Sequence, residues 1–345
     1  MRVDRGKPNQ HLSPRISRTS HRRGTCIRKF LITGIRLSAT AGLLWALATR
    51  IDLGRASQIM GQAALPLLAA ALVALFAANS IVALRWHLIL SAEAPSPGPA
   101  ALAKIVLVGL FFNQVLPTGV GGDAVRVWRC CKLGISLGAA VKSILLDRAC
   151  GYMVLIIAYA ASLPSLLNVF ADPRQRGVVV AVLGAGLFGL VALFLLDYLP
   201  RPLLRIRLMT PLAELSRESR RLFTLPARCC AVLGLSALTI GLTILAFKLV
   251  ADGVGSRLSL GSWIMIVPPV ALIQLLPVSL AGWGVREVVL VVALASFGVP
   301  AEAALATSVL LGICMIVIGL PGGLIWLVNW DIAQPSLRGF FSRPG

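Results

Sequence analysis

The stretch FFNQVLPTGVGGDAVR, residues 111–126, starts as an apolar run of membrane character, breaks at Pro117, and passes three glycines within four residues before Asp123 and Arg126. Proline and glycine free backbone N–H and C=O groups, and at membrane depth those groups must be met by protein, water or ligand rather than lipid. The break is therefore expected to line a cavity. A second copy, LIQLLPVSLAGWGVRE, occupies residues 272–287: Gln114, Leu116, Pro117, Gly122, Val125 and Arg126 align with Gln274, Leu276, Pro277, Gly282, Val285 and Arg286. Interrupted hydrophobic segments at matching places in two halves point to a binding site between structural repeats. The broken-helix candidates are Asn113, Gln114, Pro117, Gln274 and Pro277.

Composition agrees. With 57% hydrophobic and 13% charged residues and a mean hydropathy of +0.86, the chain lacks the polar surface to cover a water-soluble globule of its 345 residues. The fold class expected is an all-α polytopic membrane protein of about seven to nine membrane segments, with two broken or re-entrant helices in an inverted repeat. A net charge of +20 would suit nucleic acid only if the basic residues shared one folded face. Here they sit in tails and loops beside apolar spans, which favours anionic lipid headgroups and no nucleic acid. The seven cysteines show no CxxC or Cys/His spacing and read as small apolar filler, and the three histidines do not cluster with carboxylates. No metal site and no cofactor is expected.

In chain order, residues 1–29 carry nine Lys/Arg against one acid and read as a disordered basic cytoplasmic tail. A transmembrane region over 30–330 follows, in halves 30–199 and 229–330. Residues 31–49 form a first span, 64–90 a second whose Arg85 and Trp86 are expected in the headgroup layer at its cytoplasmic end, and 102–122 the opening broken element. Residues 137–163 form a fourth span carrying Lys142, Asp147 and Arg148, 177–199 a fifth, and 229–250 a sixth ending near Lys248; both lysines are read as interfacial. Between the halves, 200–228 holds seven Arg against two Glu and reads as a basic amphipathic cytoplasmic loop. Residues 260–280 run into the second break, 288–297 make half a span, and 303–330 a full one interrupted at LPGG, residues 320–323. A short cytoplasmic tail closes the sequence at 331–345.

Charge parity bears on the broken elements. If 102–122 crossed the membrane fully, the Arg126/Arg129/Lys132 patch and the 200–228 loop would both lie outside, against the positive-inside rule. A re-entrant hairpin restores parity, and its arm of about fifteen residues, roughly 22 Å, falls short of the ~30 Å hydrocarbon core. Three spans then separate the two breaks, which places them on opposite faces, converging on a midplane site.

Arginine presents a planar fork of donors that matches phosphate bidentately, and glycine-rich backbone offers N–H groups to the same anion. Arg126 and Arg286 with their flanking glycines are thus candidates to hold a lipid headgroup. The structural alternative is that Asp123, Asp147 and Glu287 only neutralise Arg126, Arg148 and Arg286, and that the Pro/Gly breaks only kink helices. Asp147 and Arg148 point about 100° apart on a helix, so each should face a different partner. The glycines of 319–323 fit close helix packing.

At these residues the chain resembles a known family. LPTGVGGDAVRVW, SILLDRACGY and LPVSLAGWGVREVVL, in that order, are similar to the transmembrane region of lysylphosphatidylglycerol synthase/flippase-like proteins, over roughly residues 30–330. The resemblance implies a flippase-like protein of the bacterial inner membrane moving an anionic, aminoacylated or polyprenyl-linked lipid between leaflets; the apolar spans make it multi-pass and the basic tail puts its N-terminus on the cytoplasmic side. Motif by motif, it assigns headgroup binding to Gly121, Gly122, Asp123, Arg126, Asp147, Arg148, Gly282, Gly284, Arg286 and Glu287. The full-length synthase has a soluble aminoacyl-transfer domain after its membrane part, and the sequence ends at Gly345 without one, so synthase activity is not expected. Two alternatives remain at this point: a membrane enzyme modifying a lipid headgroup, and a non-transporting subunit that docks a cytoplasmic enzyme through 200–228. No GxxxxGK[ST] loop is present, which argues against ATP-driven transport by this chain alone.

Overall fold

The computed structural model describes residue 34 and residues 37–116, 121–170, 172–195, 226–275 and 282–328. Among these every regular element is helical. They are α1 (Leu37–Ala48), α2 (Leu53–Gly61), α3 (Leu65–Glu93), α4 (Pro99–Val115), α5 (Gly121–Lys132), α6 (Leu137–Val169), α7 (Pro173–Leu195), α8 (Pro226–Gly253), α9 (Leu260–Ile273), α10 (Val285–Ala295) and α11 (Ala301–Val328). Five of them, α3, α6, α7, α8 and α11, are long and apolar enough to cross a membrane. The basic tail, the 200–225 part of the basic loop, Pro117 and Pro277 lie outside the described residues.

Local chemistry sets the boundaries. Ser136 caps α6 by accepting the Ala139 N–H at 3.3 Å, and Ser259 caps α9 by accepting that of Ser262 at 3.1 Å. Pro99 opens α4, where its missing N–H costs nothing. α5 stops at Gly134, whose φ of 87° lets Ile135 N–H reach back to the Cys130 carbonyl at 3.1 Å, closing the helix with a left-handed residue that glycine adopts without strain.

The helices α3 and α8 make the most extensive packing in the molecule. They run antiparallel: Ala64 N–H donates to Gly253 O at 2.9 Å before α3 begins, while Arg85 near the other end meets Ser236 early in α8 at 2.9 Å. The end of α3 and the start of α8 therefore share one face. The main core gathers α3, α8, α9, α10 and α11 around Trp263, Leu290, Leu294 and Leu311. Because lipid is as apolar as leucine, close approach through small residues has to supply much of the cohesion. At the crossing of α11 on α4, Gly322 lies against the Leu107 carbonyl, with Gly319 and Gly323 against Phe111.

Two expectations are corrected here. Residues 320–323 do not interrupt the last span: α11 is continuous with Pro321 inside it, and the glycines serve helix contact. Arg85 and Trp86 do not face outward from the end of their span. They are buried, at 5% and 0% exposure, because α6 and α8 bring polar partners to them. The element read as 102–122 is two helices, and α4, with 17 residues, is about 25 Å long; α9, with 14, is about 21 Å, both shorter than a ~30 Å core.

Candidate functional site

Asp147 is the first fixed point of the site. It projects from α6 with 3% of its side chain exposed and accepts from Arg85 Nε of α3 at 2.7 Å. Arg85 is itself anchored on its far side, donating through Nη1 to Ser236 Oγ. Asp123, in the first turn of α5, is the second fixed point and accepts from Arg148 Nε at 2.6 Å. Arg148 also donates to the Tyr152 hydroxyl one turn along α6 at 3.3 Å. The adjacent Asp147 and Arg148 thus face different partners, as helix geometry requires.

Arg126 lies between these two pairs and is held by neither at full strength. Its Nη1 reaches Asp123 at 3.3 Å and its Nη2 comes only within 3.6 Å of Asp147, too far for a hydrogen bond. Nε and Nη2 are buried with no hydrogen-bond partner. The guanidinium lies 4.1 Å from the centroid of the Trp86 ring, a cation–π contact, and Trp86 is fixed in turn by donating from its indole N–H to Ser143 Oγ. The backbone makes room for this. Gly109 of α4 carries the Arg126 stem, and any side chain at Gly122 would overlap Asn113 and the Gly109 carbonyl. Asn113 closes the contact by accepting the Gly122 N–H at 2.8 Å.

These groups line a cleft of about 270 Å³ whose walls include Asn79, Asn113, Tyr152 and five charged side chains: Arg85, Arg126, Arg148, Asp123 and Asp147. Three cations against two anions leave one positive charge in excess. Arg85 lies eight residues before the end of α3, and Asp147 and Ser236 each ten residues after the start of α6 and α8. At 1.5 Å per residue the cluster sits ~12–15 Å inside the molecule from those ends.

The second motif forms a separate cluster. Glu287 is saturated: Oε1 accepts from Arg286 Nη2 at 2.6 Å and from Ser308 Oγ at 3.1 Å, and Oε2 accepts the Gly284 N–H at 2.6 Å. That last bond caps α10, with Gly284 at φ 86°, a conformation open to glycine. Arg286 stacks 4.7 Å from the Trp283 ring and leaves no room for a side chain at Gly312 of α11. The cluster is charge-neutral and ties the start of α10 to α11. Gly282 abuts the Gln274 side chain, an amide-to-glycine contact like that of Asn113 with Gly122. Neither Arg286 nor Glu287 lines the cleft.

Of the residues named from sequence, Asp123, Arg126, Asp147, Arg148 and Asn113 meet in the cleft, Gly122 packs against Gly109 and Asn113 of its wall, Gly121 is buried in α5, and Gln114 stays half-buried at the end of α4. Sequence reading missed Arg85, Trp86, Ser236 and Tyr152. A signal existed for the first: one Arg in an otherwise uncharged apolar span and one Asp in another call for each other.

The family model of the lysylphosphatidylglycerol synthase transmembrane region matches residues 31–323. The chain belongs to that family. The match runs from before α1 into α11 and includes the cleft and the second cluster. Comparison with curated proteins found no match. Family membership and the five apolar helices make this an integral, multi-pass membrane protein concerned with lipid handling.

Proposed function

We propose that the protein moves an anionic phospholipid or polyprenyl-linked lipid between leaflets, holding its phosphate in the Arg126 cleft. The supporting observation is Arg126 itself: a cation with 6% exposure and two buried nitrogens unbonded. An unmet buried donor costs about 1–3 kcal/mol, more when charged, and a phosphate oxygen pair is the partner that a guanidinium fork fits best. The single excess positive charge of the cleft has the complementary sign. A volume of about 270 Å³ admits a headgroup rather than a whole lipid, which leaves the hydrocarbon outside.

In this reading the shared end of α3 and α8 faces the cytoplasm, since the basic 200–228 loop leads into α8. The short α4 and α9 enter to half depth from opposite faces, as an inverted repeat requires. The test is reconstitution in liposomes with leaflet-reporting fluorescent lipids of anionic and polyprenyl headgroups. Exchange above that of protein-free liposomes, lost at least tenfold in Arg126→Gln, is the expected result. No exchange with any of these headgroups would overturn transport.

A further inference from the structure

Beside the cleft lies a second cavity of about 220 Å³, bounded by α6, α7 and α9. Its walls are apolar except at one residue, Tyr152, which also lines the Arg126 cleft. Tyr152 stands at the seam with its hydroxyl taken by Arg148 at 3.3 Å on the cleft side, while its ring packs on the apolar cluster of Leu155, Ile156 and Leu272. A phenol with one polar tip and one apolar face suits a boundary between a headgroup and a hydrocarbon chain. The groove floor is built from small residues of α6 and α7: Ala149, Ala185, Gly186 and Gly189. At Gly189 an added Cβ would meet nothing within 4 Å, so the groove is open there.

Direction agrees as well. The α6 residues of the groove, Ala149 to Ile156, follow Asp147 and Arg148 along the helix, so the groove extends from the cleft away from the α6 start and toward the interior of the membrane. A lipid seated by its phosphate at Arg126 has its tail pointing that way. The geometry points to a tail-binding site: the groove between α6, α7 and α9 holds a fatty-acyl chain of the lipid whose phosphate occupies the Arg126 cleft. This rests on the headgroup reading of that cleft. A floor of alanine and glycine is smooth and suits an unbranched chain, which carries no methyl branches to be accommodated. The small residues alone would carry no such assignment. The buried, unbonded nitrogens of Arg126 in the adjoining cleft are the independent sign of a ligand.

The experiment compares dihexanoyl- and dioleoyl-phosphatidylglycerol and undecaprenyl phosphate by native mass spectrometry of the full-length protein. The variants are Gly189→Phe, which plugs the groove, and Gly184→Phe on the same helix, where an added side chain also meets nothing and which does not line the groove. Expected is a preference of wild-type protein for the dioleoyl lipid over the dihexanoyl lipid that falls at least tenfold in Gly189→Phe and persists in Gly184→Phe. An unaltered preference in Gly189→Phe would place the tail elsewhere and sink the inference while the headgroup reading stands. Undecaprenyl phosphate retained above the dioleoyl lipid, and lost in Gly189→Phe, would also overturn the fatty-acyl assignment. Failure of wild-type protein to hold any of the three lipids would remove the headgroup reading and the groove with it.

Discussion

Arg126 is the middle of a line of alternating charges, Arg85, Asp147, Arg126, Asp123 and Arg148, spread over α3, α5 and α6. The outer arginines hold the carboxylates at 2.6 and 2.7 Å, and the central one is left at 3.3 and 3.6 Å from them. Substitutions along the line should therefore differ in kind. Asp147→Asn leaves the buried Arg85 guanidinium without its carboxylate and is expected to destabilise by about 3–5 kcal/mol, read as a drop in unfolding temperature in detergent. Arg148→Gln, at a side chain 37% exposed, should cost about 1 kcal/mol or less. Equal losses from the two would contradict this ranking. Arg126→Gln removes few bonds in the empty protein, so its effect should fall on lipid exchange rather than on stability.

At the level of elements, the position of Arg126 depends on how closely α4 is clasped. α11 lies on one side of it through Gly322, and α5 on another through Gly122. A valine at Gly322 would force its methyls into the Leu107 carbonyl, so α11 must shift or tilt. Overpacking of this kind costs typically about 1–3 kcal/mol, and here it should also loosen the wall that carries Gly109 and Asn113. Thermal unfolding of Gly322→Val should show the loss, while Gly184→Val on α7, facing open space, should show none. The α6/α7/α9 groove belongs to this scale too. Its floor is a set of alanines and glycines on two antiparallel helices, which is why the plug at Gly189 tests it without disturbing the clasp of α4.

For the whole molecule, the antiparallel α3/α8 pair fixes which ends share a face. Each helix has 28 or 29 residues, about 42 Å, enough to pass a ~30 Å core. In a background without native cysteines, Ser91→Cys and Arg257→Cys should react with a membrane-impermeant maleimide from opposite sides, with Arg257→Cys labelled in intact spheroplasts and Ser91→Cys only after permeabilisation. Labelling of both from one side would refute the arrangement. The sequence alone was enough to establish an all-helical membrane protein, its family, and the divergence of Asp147 from Arg148, because hydropathy runs and the 100° step of a helix are local properties. It did not foresee the burial of Arg85 and Trp86, since a charge near the end of an apolar run looks exposed until α6 and α8 supply Asp147, Ser143 and Ser236 from 57 to 151 positions away. It also gave the two arginine motifs the same role on the strength of matching spacing. Tertiary structure separated them: three helices leave Arg126 with unmet donors in a cleft, whereas Glu287 and Ser308 occupy Arg286, and no local pattern encodes how many partners a buried guanidinium will find.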